Sequence, residues 1–149
     1  MPALILLMSI DYRYRANQVY WIFLLTILNL VMNVTKMAYR EARPFWVDPT
    51  IYLDDCSVEF GNPSGHSMMA ALLAVALAFS ILEFVTGDFK RRVILGLLVF
   101  PLAIVYFFAM GWSRLTLGVH SLNQIVYGWL LGIWIANACH FCLKEKIVS

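Results

Sequence analysis

Gly61-Asn62-Pro63-Ser64-Gly65-His66 stands directly before a long apolar run. Asn62 can serve as a helix N-cap with Pro63 in the first helical position, which leaves the amides of Ser64, Gly65 and His66 without intrahelical partners. Such an end attracts anions, because N–H groups and the positive end of the helix dipole converge on it. The small Ser64-Gly65 pair lets a tetrahedral oxyanion approach the backbone, and His66 is placed beside it to move a proton. Helix capping with no ligand is the alternative reading of these residues.

Two other segments supply matching groups. Lys36, Arg40 and Arg43 fall at i, i+4 and i+7, a spacing that stacks like charges on one helix face until Pro44 biases Arg43 out of the helix. A bound polyanion would relieve their repulsion; a helix end whose cations snorkel to lipid headgroups is the plainer account. Further on, Ser113-Arg114-Leu115-Thr116-Leu117-Gly118-Val119-His120 links two apolar runs. An arginine and a histidine in a tight apolar hairpin are costly unless they share a polar pocket. One helical step of four residues takes His120 to Gln124, whose carbonyl can accept the Nδ1 proton and leave Nε2 free as a nucleophile. An interfacial histidine without chemistry is the rival reading.

The elements that must position these groups follow from composition. Of 149 residues 62% are hydrophobic and 13% charged, against about 45–50% and 25% in ordinary soluble domains. Eleven basic and nine acidic side chains cannot coat a water-facing surface. Four apolar runs have membrane length: Val19 to Thr35, Ser67 to Phe84, Val93 to Trp112 and Ser121 to Leu143. The expected fold is therefore an all-α integral membrane bundle of four transmembrane helices in a single domain. Met1 to Ile10 is apolar but too short to span; it reads as the tail of a further helix, an interfacial anchor or an uncleaved start. A net charge of +2, with no basic run beyond Lys90-Arg91-Arg92, gives no footprint for nucleic acid.

Four spans sort the charges. Arg13, Arg15, Lys90, Arg91, Arg92, Lys144 and Lys146 fall on one side, which the positive-inside rule makes cytoplasmic. Lys36, Arg40, Arg43, Arg114, the amides after Pro63, His66 and His120 all emerge on the other. That joint placement, more than any one motif, points to a shared anion-handling site facing away from the cytoplasm, in the endoplasmic reticulum lumen or outside the cell.

Lys36 with Arg43-Pro44, Pro63-Ser64-Gly65-His66, and Ser113-Arg114 followed by His120 resemble the three-part signature of the type 2 phosphatidic acid phosphatase superfamily, in the right order and over residues 29 to 132. The resemblance implies that His120 is the nucleophile that takes the phosphoryl group. It makes His66 the acid that protonates the leaving oxygen. Lys36, Arg43 and Arg114, with the Ser64 hydroxyl and the Ser64 and Gly65 amides, would hold the nonbridging oxygens. It implies no metal and no cofactor. Where most of the superfamily has an acid four residues after the nucleophile, this chain has Gln124. That departure, with Phe45-Trp46, Leu28 to Val31 and Cys56, resembles the glucose-6-phosphatase-like branch, and makes a sugar phosphate the expected substrate and a lipid phosphate the alternative. A non-catalytic membrane subunit is the rival from another class. The family core has six helices, so four imply a short form, an incomplete chain or a bundle completed by a partner chain.

Other features stand apart on physical grounds. Cys139-His140-Phe141-Cys142 has redox or metal spacing but no second ligand pair nearby. Three cysteines, with Cys56 on the opposite face, predict no internal disulfide. Asn33-Val34-Thr35 matches a glycosylation acceptor too close to the bilayer for use. Asn29, Asn33 and Asn137 are expected to bond between helices, Pro101 to kink the third span, and Glu83 to snorkel.

Overall fold

The computed structural model describes residues 15–51, 57–84 and 89–148. In chain order these form α1 (Arg15–Tyr39), a short α2 (Pro44–Val47), α3 (Gly65–Phe84), α4 (Phe89–Thr116) and α5 (Leu122–Val148). The four long helices are each long and apolar enough to cross a membrane, and the chain is a multi-pass membrane protein. The helices α1 and α4 begin earlier and end later than their apolar runs, α3 begins two residues earlier, and α5 continues past Leu143. Hydropathy marks only what lies in hydrocarbon, whereas a helix stabilised by its neighbours continues into the headgroup region. At 25 residues, α1 reaches Tyr39 and so carries Lys36 in its last turn.

The helix α3 is apolar on every side and lies in the middle, packed on α5 and α4, with α1 against α5. Leu24 and Leu28 of α1, Met68 and Leu72 of α3, and Ile135, Ala136 and Cys139 of α5 make the core. Two glycines one helical turn apart let α5 approach α3 closely. A Cβ at Gly132 would lie 2.2 Å from the Met68 carbonyl oxygen, and one at Gly128 would lie 2.7 Å from that of Ser64. Small residues at a helix contact are how membrane helices gain dispersion contacts when hydrophobic association is absent. This crossing sets the height of Ser64 relative to α5, and with it the geometry of the site. The helix α4 instead turns Leu97, Leu102 and Val105 outward, as a lipid-facing helix does.

Several expectations change. Asn29 and Asn137 donate to Leu25 and Ile133 carbonyls of their own helices, and not across to a neighbour. An exposed amide in hydrocarbon finds its nearest acceptor one turn back. Arg40 leaves the helical face expected of it: α1 stops at Tyr39, and Arg40 takes φ 47°, the left-handed cap conformation. Its Nε donates to the Met37 carbonyl at 3.1 Å and the side chain is exposed. Pro101 lies inside α4. Met1 to Ile10, Cys56 and the Glu83 side chain lie outside the described residues.

Candidate active site

The ends of the four long helices bring the three signature segments to the same end of the bundle. The reversal at Arg40 carries the chain into extended backbone at Arg43 (φ −78°, ψ 153°), which Pro44 then turns into α2. Arg43 is thereby drawn inward. It is 6% exposed, its Nε donates to the Glu59 carbonyl at 2.7 Å, and its Nη1 reaches the Val119 carbonyl at 3.3 Å. Lys36, equally buried, is bridged by the Glu59 carboxylate. That contact holds Glu59 below the usual carboxylate range, first through the hydrogen bond from Lys36 and then through its charge.

The hairpin from α4 to α5 turns sharply because Gly118 adopts φ 65°, a conformation open to glycine. A Cβ there would also strike Ile51 at 2.6 Å. The turn delivers His120 to the interior at 3% exposure. Its Nδ1 faces Gln124 Oε1 at 3.3 Å and its Nε2 faces Arg43 Nη1 at 3.5 Å. An amide oxygen can only accept and a guanidinium can only donate, so the neutral ring carries its proton on Nδ1 and presents a lone pair at Nε2. Burial, and then the Arg43 charge, push the His120 pKa down to about 4 against the weaker support of Gln124 and Gly61. At neutral pH this imidazole is unprotonated, with a lone pair available at Nε2.

Gln124 holds more than the ring. Its Oε1 also accepts the Ser121 amide at 3.2 Å, and Ile125 N bonds Ser121 O at 3.1 Å. Ser121-Leu122-Asn123-Gln124 is thus a capping box in its backward half, the residue at N3 reaching the N-cap amide. Its Nε2 donates to the Ala42 carbonyl at 2.9 Å. Gly61 leaves room for this side chain: a Cβ there would lie 2.6 Å from Gln124 Nε2. The expected bond from His120 to Gln124 is present. The Ser-x-x-Gln spacing is a signal in the sequence for the second role.

The start of α3 differs from expectation. The helix begins at Gly65, with Ser64 as its cap, and Asn62 donates to Glu41 Oε2 at 2.7 Å where an N-cap bond was expected. Ser64 N is taken by the Gln124 carbonyl at 3.0 Å, and Ser64 Oγ pairs with Ser67 Oγ at 2.9 Å. The close α3–α5 crossing brings that carbonyl onto Ser64, so the open first-turn amides are those of Gly65 and His66. Gly65 abuts Met32, whose Sδ would lie 2.5 Å from an added Cβ. His66 is exposed and within Coulombic reach of Arg114, Lys36 and Arg43. Arg114 is half-buried, with its Nε 3.3 Å from Ser113 Oγ, and meets the others only as a charge. Glu59 and Glu41 escaped the sequence reading, since an acid in a loop rich in acids has no spacing that marks it.

The arrangement suits in-line attack on a tetrahedral anion. A neutral Nε2 stands beside a buried guanidinium, a second histidine is open to solvent, and cations with helix-start amides surround the space between. Among the described residues no group of His, Cys, Asp and Glu is disposed to hold a metal ion.

Comparison with known proteins places the chain in one family. The PAP2 superfamily profile matches residues 17–147. An undecaprenyl-diphosphatase of Sulfolobus acidocaldarius is 31% identical over 105 residues, 70% of this chain and 44% of that protein. The chain thus spans less than half the length of this curated relative. The crystal structure of a transmembrane PAP2-type phosphatidylglycerolphosphate phosphatase from Bacillus subtilis superposes with a TM-score of 0.75 at 24% identity, over 97% of this chain and 69% of that one. At that identity the likeness speaks for the fold.

Proposed function

This chain belongs to the PAP2 superfamily, and from that premise we propose that it hydrolyses a phosphate ester of a membrane lipid through a phosphohistidine on His120. The observation that carries the reading is the double hold on His120, with Nδ1 on Gln124 and Nε2 facing Arg43. Nε2 attacks phosphorus as the bond to the leaving oxygen breaks, and protonated His66 gives that oxygen its proton. Water then surrenders a proton to His66 and attacks the phosphohistidine. The P–N bond breaks, and inorganic phosphate and neutral His120 are released. Lys36, Arg43, Arg114 and the Gly65 amide, with Ser64 behind them, hold the nonbridging oxygens. Such a transition state chiefly needs positioning and fixed positive charge.

The sugar-phosphate expectation gives way here to its lipid alternative. The case for the glucose-6-phosphatase-like branch rested mainly on Gln124, and the capping box and the grip on His120 account for that residue without reference to the leaving group. The undecaprenyl-diphosphatase likeness favours a lipid. So do Trp46, Val47 and Val58, apolar and exposed close in sequence to Arg43 and Glu59. Lys90, Arg91 and Lys144 lie at the far helix ends, which under the positive-inside rule supports a site on the non-cytoplasmic side.

The test is phosphate release by purified protein in detergent from a polyprenyl diphosphate, phosphatidic acid and glucose 6-phosphate. The lipids should turn over at least about 10-fold better in kcat/KM, a margin of about 1.4 kcal/mol. Radiolabelled phosphate should be trapped as an acid-labile, base-stable adduct lost in His120→Ala. Preference for glucose 6-phosphate would restore the sugar reading, and no hydrolysis at all would favour a non-catalytic subunit.

A further inference from the structure

Glu41 precedes Arg43 by two residues and has no part in the chemistry above. Its carboxylate accepts Asn62 Nδ2 on Oε2 at 2.7 Å and Asn123 Nδ2 on Oε1 at 3.0 Å. Its own carbonyl accepts the Gly61 amide at 2.8 Å, and the carbonyl of the next residue, Ala42, accepts Gln124 Nε2 at 2.9 Å. Three segments remote in sequence therefore meet on two residues. Asn62 is 8% exposed, and its Oδ1 has no partner among the described residues, so Glu41 is the bonding partner of its side-chain amide. Asn62 leads into the Ser64-Gly65 helix start, Asn123 adjoins Gln124, and Glu41 itself leads into Arg43.

We propose that Glu41 is a positioning residue, a three-way clamp fixing the nucleophile, the α3 amides and the Arg43 guanidinium relative to one another. The physical reason is tolerance. Each group sits on a different helix end, helix ends fray, and in-line transfer loses rate steeply with displacements of about 1 Å. A carboxylate suits the place because both oxygens accept, matching two amide donors that would repel any donor put between them.

The proposal rests on the phosphatase reading, and a reciprocal exchange tests the two separately. Glu41→Gln sets an amide donor against the Asn123 donor, and Asn123→Asp sets two carboxylates against each other. The double variant restores one bond between positions 41 and 123, with the direction of donation reversed, and keeps an oxygen for Asn62. Each single change should lower kcat about 10-fold with KM within about 3-fold, measured well below the melting temperature; the double variant should return to within about 3-fold of wild type. Orthovanadate affinity, read by thermal shift, should fall and recover in parallel, so the clamp is measurable even without turnover. Wild-type kcat and vanadate affinity in the singles, or a double variant no better than the worse single, would overturn the clamp. If Glu41→Gln does not accumulate, Glu41→Asp keeps the charge but shortens the reach; it should show the same kcat loss, and wild-type kcat there also refutes the proposal. An inactive wild type that still shows the vanadate pattern would instead count against the phosphatase reading alone.

Discussion

At one end of the bundle His120 is buried, with Gln124 at one ring nitrogen and Arg43 at the other. At the opposite end His140 lies face to face on Phe79 with centroids 3.8 Å apart, and edge-on to Phe141 at 5.0 Å. Both ends hold a histidine near helix termini with cations close by; at the far end Lys144 Nζ stands 5.4 Å from the Tyr20 ring centroid. The difference lies in where the neighbours come from. Phe79 and Tyr20 belong to helices that pack on α5 in any case, so the far end is a product of bundle packing. At His120 one partner, Gln124, lies a turn further on in α5, but the other, Arg43, comes from a segment that wraps over the helix ends, 77 positions away in sequence. Helix packing alone gives a histidine a stacking partner. A charged partner aimed at a chosen nitrogen requires loops whose own backbone groups are bonded in place.

The most direct challenge to this contrast is to remove each histidine. His120→Ala should abolish turnover and the trapped phosphoenzyme, a loss on the order of 10⁴-fold or more, as for removal of other catalytic nucleophiles. His140→Ala should stay within about 3-fold of wild type in the same steady-state assay. Comparable losses at both ends would mean that the far end takes part in the reaction.

Next in size is His66. His66→Ala should cost about 10²–10⁴-fold on an alkyl ester whose leaving oxygen needs a proton, and much less on a nitrophenyl ester. Equal losses on the two would take His66 out of the acid role.

Gln124 probes the held ring itself. Gln124→Leu strips Nδ1 of its acceptor and the α5 start of half its capping box, and should cost more activity than Gln124→Asp. The aspartate adds a negative charge that favours the imidazolium, so the acid limb of the pH profile of kcat/KM should move upward from the wild-type position. The sign for stability follows from the same shift. With the folded pKa at about 4 and the unfolded near 6.5, the unfolded chain binds more protons between those values. Stability then rises with pH across that window and is lost as pH falls through it. Gln124→Asp should flatten that slope in thermal melts recorded from pH 4 to 7.

The smallest effect is expected at Glu59, whose carboxylate occupies Lys36 while remaining mostly exposed to solvent. Glu59→Gln should release Lys36 for anions and tighten inhibition by inorganic phosphate about 2- to 5-fold, no more, because the Glu59 carboxylate faces solvent and its charge is screened. Weaker inhibition would show that Glu59 orients Lys36 for phosphate and does not compete with it.

That this is a helical membrane protein, with four spans among the described residues, was legible in the residues alone, since apolar runs of about 20 residues with so few charges satisfy their backbone in a bilayer as helices. So was the gathering of Lys36, Arg43, Ser64, Gly65, His66, Arg114, His120 and Gln124 at one end, because span parity and charge sorting are one-dimensional properties. How those groups are used depended on packing in three dimensions. The cap passed from Asn62 to Ser64 and the Ser64 amide went to Gln124, because two glycines let α5 approach α3 to backbone contact. Arg40 turned outward while Arg43 turned inward, because α1 ended at Tyr39 and Arg40 itself took the left-handed conformation. Glu59 and Glu41 gained partners that spacing could not announce. Their bonds run between chain segments 16 to 82 positions apart, and a hydrogen bond needs sub-ångström placement that hydrophobic periodicity, reporting only which face is buried, does not encode.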